Sequence, residues 1–132
     1  MKAGVKVSKM THYRFNDKEY RISVGKNKNH NFDLIDAAAA TDLWFHVAGS
    51  PSAHVILDTQ GEPRRAIPHA VLKHCARLCV NPTKGHTGHT GHKGHKGHTV
   101  AVVYTEIAKV EKTAVMGSVQ VRGTAYHIDV KI

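Results

Sequence analysis

Three regions of this chain alternate apolar with polar side chains, and two regions between them switch to helical spacing. Tyr13-Arg14-Phe15 and Tyr20-Arg21-Ile22-Ser23-Val24 alternate on either side of Asn16-Asp17-Lys18-Glu19, a cluster of turn-forming and charged residues that predicts an N-terminal hairpin. Thr41–Val47 and Ser52–Leu57 predict a second hairpin, joined by Ala48-Gly49-Ser50-Pro51 with the glycine and proline punctuation of a tight connection. Val100–Thr105, Ser118–Val121 and Tyr126–Val130 predict three late strands. Helical spacing links Asn31, Phe32, Leu34, Ile35 and Ala38, with Asn29 or Asn31 as the N-cap. A second helix is predicted from Pro68 to about Val80, turning Ile67, Val71, Cys75 and Leu78 toward the sheet and Lys73 and Arg77 away from it. The order of two strands, helix, two strands, helix and three strands predicts a single α+β domain over residues 13–132: a largely antiparallel β-sheet with two helices packed on one face of it. Residues 1–12 are predicted to be a loose basic lead-in.

The central hairpin carries the unusual chemistry. Successive strand residues point to opposite faces, so Leu43, Phe45 and Val47 share one face and Asp42, Trp44 and His46 the other. The first face is plain core. The second mixes a carboxylate, an indole and an imidazole, and His54 joins it in only one of the two registers the pattern allows. Trp44 is then either a stacking platform for a base or buried core, and the two histidines either edge a binding site or sit hydrogen-bonded in the interior. Asp42 would orient His46 or Lys26. Upstream, Gly25-Lys26-Asn27-Lys28 ends a strand just before a helix start, where free backbone N–H groups and two lysines make a seat for a phosphate; the asparagines of this stretch would otherwise only cap and turn.

Charge narrows the partners. The 132 residues hold nineteen Lys and Arg against ten Asp and Glu, a net +9 before any of twelve histidines is counted. Such a surface attracts polyanions, with RNA, DNA and anionic membranes as the candidates. No apolar run is long enough to span a bilayer, so membrane insertion is not expected. Cys75 and Cys79, four apart on a helix, read as small buried side chains in a reducing, cytoplasmic or nuclear setting. Residues 85–99 repeat glycine and histidine with a period of three, a low-complexity loop predicted to be mobile. Its His86, His89, His92, His95 and His98 could take up zinc, copper or nickel. No cofactor is otherwise expected.

Taken together, the motifs resemble the NFACT RNA-binding (NFACT-R) domain. They are Gly25-Lys26-Asn27 with Asn31, the Asp42-Leu43-Trp44-Phe45-His46-Val47 strand, Pro51-Ser52-Ala53-His54-Val55, and the late Val102–Thr105, Val110–Ala114 and Gly117–Val119 segments. The resemblance covers about residues 13–132 and is nearest the small stand-alone eukaryotic members known as coiled-coil domain-containing proteins, whose charged helical tail is not found here. The Gly-His repeat is outside the family pattern and falls where a variable loop is expected. The resemblance implies RNA binding in the setting of the ribosome or tRNA, as in ribosome-associated quality control, and implies Lys26, Asn27, Lys28, Asn31, Asp42, Trp44, His46, His54 and Lys112 as site residues. DNA binding or sensing, and metal binding through the repeat, are the alternatives. An enzyme using His46, His54 and Asp42 as acid, base and orienter is a further class, but no nucleophile motif, phosphate loop or His-Glu-x-x-His pair accompanies them, so a non-enzyme is expected.

Overall fold

The computed structural model describes residues 9–25, 28–49, 52–80, 99–114 and 118–131. Its elements in chain order are β1 (Lys9–Phe15), β2 (Lys18–Val24), α1 (Lys28–Ala37), β3 (Leu43–Val47), β4 (Val55–Leu57), α2 (His69–Val80), β5 (Thr99–Glu106), β6 (Val110–Lys112), β7 (Val119–Val121) and β8 (Tyr126–Lys131). Six strands form one sheet in the order β1-β2-β4-β3-β5-β8, and every neighbouring pair is antiparallel. β6 and β7 form a separate antiparallel ribbon. The architecture is the predicted α+β domain.

Local chemistry explains the first hairpin. Asn16 and Asp17 both take positive φ, 51° and 65°, which these short polar side chains tolerate, so a two-residue turn closes directly on the Phe15–Lys18 pair. The second strand therefore begins at Lys18, two residues earlier than the predicted Tyr20, while the first ends at Phe15 as predicted. β1 also begins at Lys9, and residues 9–12, assigned from sequence to the lead-in, pair with β2.

Period-two alternation sorts the sheet into two interiors. Tyr20, Ile22, Val24, Leu43, Phe45, Val47, Val55, Leu57, Val102, Tyr104, Ile128 and Val130 face α2, which buries Val71, Leu72, Cys75, Ala76 and Cys79 against them. Trp44 and Ile56 face the other way and pack with Ile35 of α1 and with Ile107 and Val110. The two helices thus lie on opposite faces of the sheet, not on one. The reason is that β3 and β4 carry core side chains on both faces, Trp44 and Ile56 opposite Leu43, Phe45, Val55 and Leu57, and so require cover on both. The second cover is α1 together with the β6–β7 ribbon, whose Val119 and Val121 join the same cluster. The first strand of that ribbon, only three residues long, falls inside a segment the sequence pattern left without a strand.

α1 begins at Lys28, three residues before the predicted Asn31 start, so Asn29 and Asn31 lie within the helix rather than capping it. Burial of Ile35, with Phe32 and Leu34 packed beside it, outweighs the weak helix propensity of asparagine. Among the described residues, no helix is long and apolar enough to cross a membrane. The Gly-His repeat with its five candidate metal ligands lies outside the described residues, and among the described residues no group of His, Cys, Asp or Glu is arranged to hold a metal ion.

Candidate nucleic-acid interface

The register of the central hairpin settles which side chains meet. β3 pairs with β4 as Trp44 with Ile56 and Phe45 with Val55, so the next step outward sets His46 opposite His54 on the face that bears Trp44. The rings touch edge to face, with centroids 4.8 Å apart. The Trp44 indole lies parallel to His46 at 5.7 Å, and its Nε1–H donates to His54 Nδ1 at 3.1 Å. His46 Nδ1 lies 2.7 Å from the Val47 carbonyl.

Trp44 is 3% exposed and belongs to the second interior, which rules it out as a platform for a base. His54 is equally buried at 3%, whereas His46 is half-buried. Burial pushes His54 down to about 4, and the neighbouring His46 adds to that push; burial also lowers His46, against the opposing effect of its Val47 hydrogen bond. At neutral pH the pair is therefore uncharged and contributes nothing to a cationic surface.

β2 extends this arrangement to the basic turn. The Gly25 N–H donates to the His54 carbonyl at 2.9 Å, continuing the β2–β4 ladder one step past the Val24–Val55 pair. Asn31, 8% exposed, lies directly against Gly25, so that a Cβ at position 25 would collide with Asn31 Oδ1. Only glycine permits this approach of α1 to the strand end. The consequence is positional: the N-terminal turn of α1, with its free backbone N–H groups, is fastened beside the His54–His46 pair. Lys26 and Asn27 lie outside the described residues, and Lys28 opens the helix.

Continuing across the sheet in the same row, His46 pairs with Val103 on β5 and Val103 with His127 on β8. His127 is exposed on the same face and was not singled out from the sequence, although the alternation of Tyr126–Lys131 places it opposite the buried Ile128 and Val130. Arg14 and Arg21, also missed, are exposed on this face of β1 and β2 and make no ion pair among the described residues.

Two predicted site residues are taken up elsewhere. Asp42, 7% exposed, accepts the Thr59 N–H at Oδ1 (3.1 Å) and the Ala39 N–H at Oδ2 (3.0 Å), tying the loop before β3 to the loop after β4. It bonds neither histidine, because a carboxylate at the residue just before the strand is drawn to the orphan N–H groups of the adjoining loops. An acid–base–orienter triad of Asp42, His46 and His54 is accordingly not assembled. Lys112 on β6 binds Asp36 Oδ1 at 2.7 Å and sits 5.2 Å from the Phe32 ring, latching the ribbon to α1. Asp36 lies eight residues beyond Lys28, roughly 12 Å along the helix, so Lys112 is not gathered with the turn.

The comparisons with known proteins agree with this architecture. The family model described as the NFACT protein RNA binding domain matches residues 9–126. Coiled-coil domain-containing protein 25 from Mus musculus is 41% identical over 119 residues, covering 89% of this chain and 52% of the mouse protein. A homolog from Dictyostelium discoideum is 35% identical, covering 83% of this chain and 50% of its own length. The chain thus spans about half the length of these relatives. Among solved structures, the C-terminal part of the fibronectin/fibrinogen-binding protein from Streptococcus suis superimposes with a TM-score of 0.69 at 25% identity, over 93% of this chain and 45% of that one.

Proposed function

The chain belongs to the NFACT RNA-binding domain family, and from that premise we propose that it is a non-catalytic module that grips ribosomal RNA or tRNA, in the cytoplasm or nucleus, through the glycine–basic turn and the adjoining histidine row. The observation that carries this reading is the fastening of the α1 N-terminus to His54 through Gly25 and Asn31. That contact brings a backbone donor cluster and a partly open aromatic row together at one end of the central strands β2, β4 and β3, next in sequence to Lys26 and Lys28. In the proposal, Lys26, Asn27 and Lys28 meet phosphates together with the helix N–H groups. Trp44 and Asn31 hold the surface in place from beneath, while His46 and His127 are the side chains of the row that an RNA reaches. Arg14 and Arg21 extend the positive field along the same face.

A phosphate-driven grip has a defined salt response. Two lysine–phosphate contacts predict roughly a tenfold loss of RNA affinity for a fourfold rise in salt. The Lys26→Glu, Lys28→Glu double variant is expected to bind RNA of any sequence at least about tenfold more weakly, with a salt slope smaller by about two. Fluorescence anisotropy across a salt series measures both, with circular dichroism checking the fold. A folded double variant of wild-type affinity places the grip elsewhere. Duplex and single-stranded DNA of matched sequence, competing as well as RNA, would favour the DNA reading.

A further inference from the structure

We propose that His46 is a lone-pair acceptor within this site: its Nε2 takes a hydrogen bond from an O–H or N–H group of the bound RNA, with Trp44 and His54 acting as positioning residues. The proposal rests on the RNA-binding reading of the same face. It follows from which atoms can donate. An indole N–H can only donate, so His54 Nδ1, 3.1 Å from Trp44 Nε1, is the acceptor and the proton of the neutral ring sits on Nε2. A backbone carbonyl can only accept, so His46 Nδ1, 2.7 Å from the Val47 oxygen, carries the proton and Nε2 keeps the lone pair. Two fixed partners thus set the two rings in opposite tautomers.

The His46 ring is held as well as oriented. The Trp44 indole lies parallel to it, at an interplanar angle of 9°, and His54 stands edge-on at 82°. Nε2 has no hydrogen-bond partner among the described residues, and the His46 ring is only half-buried, which leaves this nitrogen available to a ligand. Protonation of Nε2 is opposed by partial burial, against the Val47 hydrogen bond that favours it, and among the described residues no carboxylate bonds to either ring.

A phosphate oxygen is itself an acceptor and gains nothing from a neutral Nε2. The RNA groups that can donate are the ribose 2′-hydroxyl and the imino or amino groups of bases. His46 is therefore a reader that acts apart from the phosphate contacts. A 2′-hydroxyl is absent from DNA, so this acceptor can favour RNA in a way that charge cannot.

Long-range ¹H–¹⁵N correlation spectra of the labelled chain at pH 7 read the tautomers without RNA. Unprotonated Nε2 on His46 and unprotonated Nδ1 on His54 are expected, and Trp44→Phe should release the His54 ring from its single tautomer while leaving an aromatic in place. A protonated Nε2 on His46 overturns the proposal. In binding, His46→Leu should weaken RNA about three- to tenfold, the size of one neutral hydrogen bond, and His46→Gln should restore most of the loss. With a 2′-deoxy oligonucleotide, disappearance of the difference between wild type and His46→Leu identifies the 2′-hydroxyl as donor; persistence identifies a base N–H. A folded His46→Leu variant that binds RNA as tightly as wild type overturns the proposal alone. A wild-type chain that binds no RNA, with the tautomers as expected, overturns the RNA reading and this proposal together.

Discussion

Trp44→Ala is expected to lower the stability of the domain by about 3 to 5 kcal/mol, the cost of emptying a large aromatic site from a packed interior. The indole is 3% exposed and fills the second interior together with Ile35, Ile56, Ile107 and Val110. Its loss undermines the seat of α1 and of the β6–β7 ribbon at once, and it removes the donor that satisfies His54 Nδ1. Trp44→Phe keeps most of the packing and should cost about 1 to 3 kcal/mol, chiefly from the unpaired nitrogen. Urea denaturation checks both through a fall in midpoint with the slope preserved. An alanine variant of wild-type stability but weakened RNA affinity would make the indole an exposed stacking platform after all.

Acidification from pH 6.5 toward pH 4 is expected to remove on the order of 3 kcal/mol of stability through His54. Its ring binds a proton near 6.5 in the unfolded chain but only at about 4 in the folded one. Between those values the unfolded state holds more protons, so stability is complete above about 6.5 and drains away as pH falls toward 4. Burial is the main cause, but the local hydrogen bond points the same way. A protonated His54 would turn a second N–H toward the Trp44 N–H, donor against donor. His46 and His74, both also lowered by burial, act with the same sign. His54→Gln, which retains an acceptor for the indole without titrating, should be less stable at pH 7.5 and show a pH dependence flatter by about that amount. Parallel stability curves for variant and wild type between pH 7.5 and 4 would show that His54 is not held neutral by the fold.

Much of the fold was written in the period-two pattern. Leu43, Phe45 and Val47 alternate with Trp44 and His46 as expected, and Val71 and Cys75 face the sheet at helical spacing. What the pattern missed has physical causes. β4 is apolar at Val55, Ile56 and Leu57 without a break, so alternation could not announce that both faces are covered and that α1 belongs opposite α2. The pairing of His46 with His54 depends on register, a long-range property fixed by how Phe45 meets Val55. Asp42 looked like a partner for a histidine because sequence lists neighbours along the chain. Its partners are the Ala39 N–H nearby and the Thr59 N–H seventeen residues on. Gly25 was readable as a strand end, but its deeper role, leaving room for Asn31, needs the packed helix to be seen.

The central proposal is that RNA meets this domain at the end of the strands β2, β4 and β3, where the α1 N-terminus adjoins the histidine row. Backbone and histidine-ring NMR shifts of the chain, followed while a tRNA anticodon-arm or ribosomal RNA hairpin is added, test it most directly. The account predicts that the largest changes fall on residues 25–31, His46 and His127, with smaller ones at Arg14 and Arg21, and that α2 is silent. Changes centred on the exposed side of α2, around Lys73 and Arg77, with the turn and the histidine row unmoved, would contradict it.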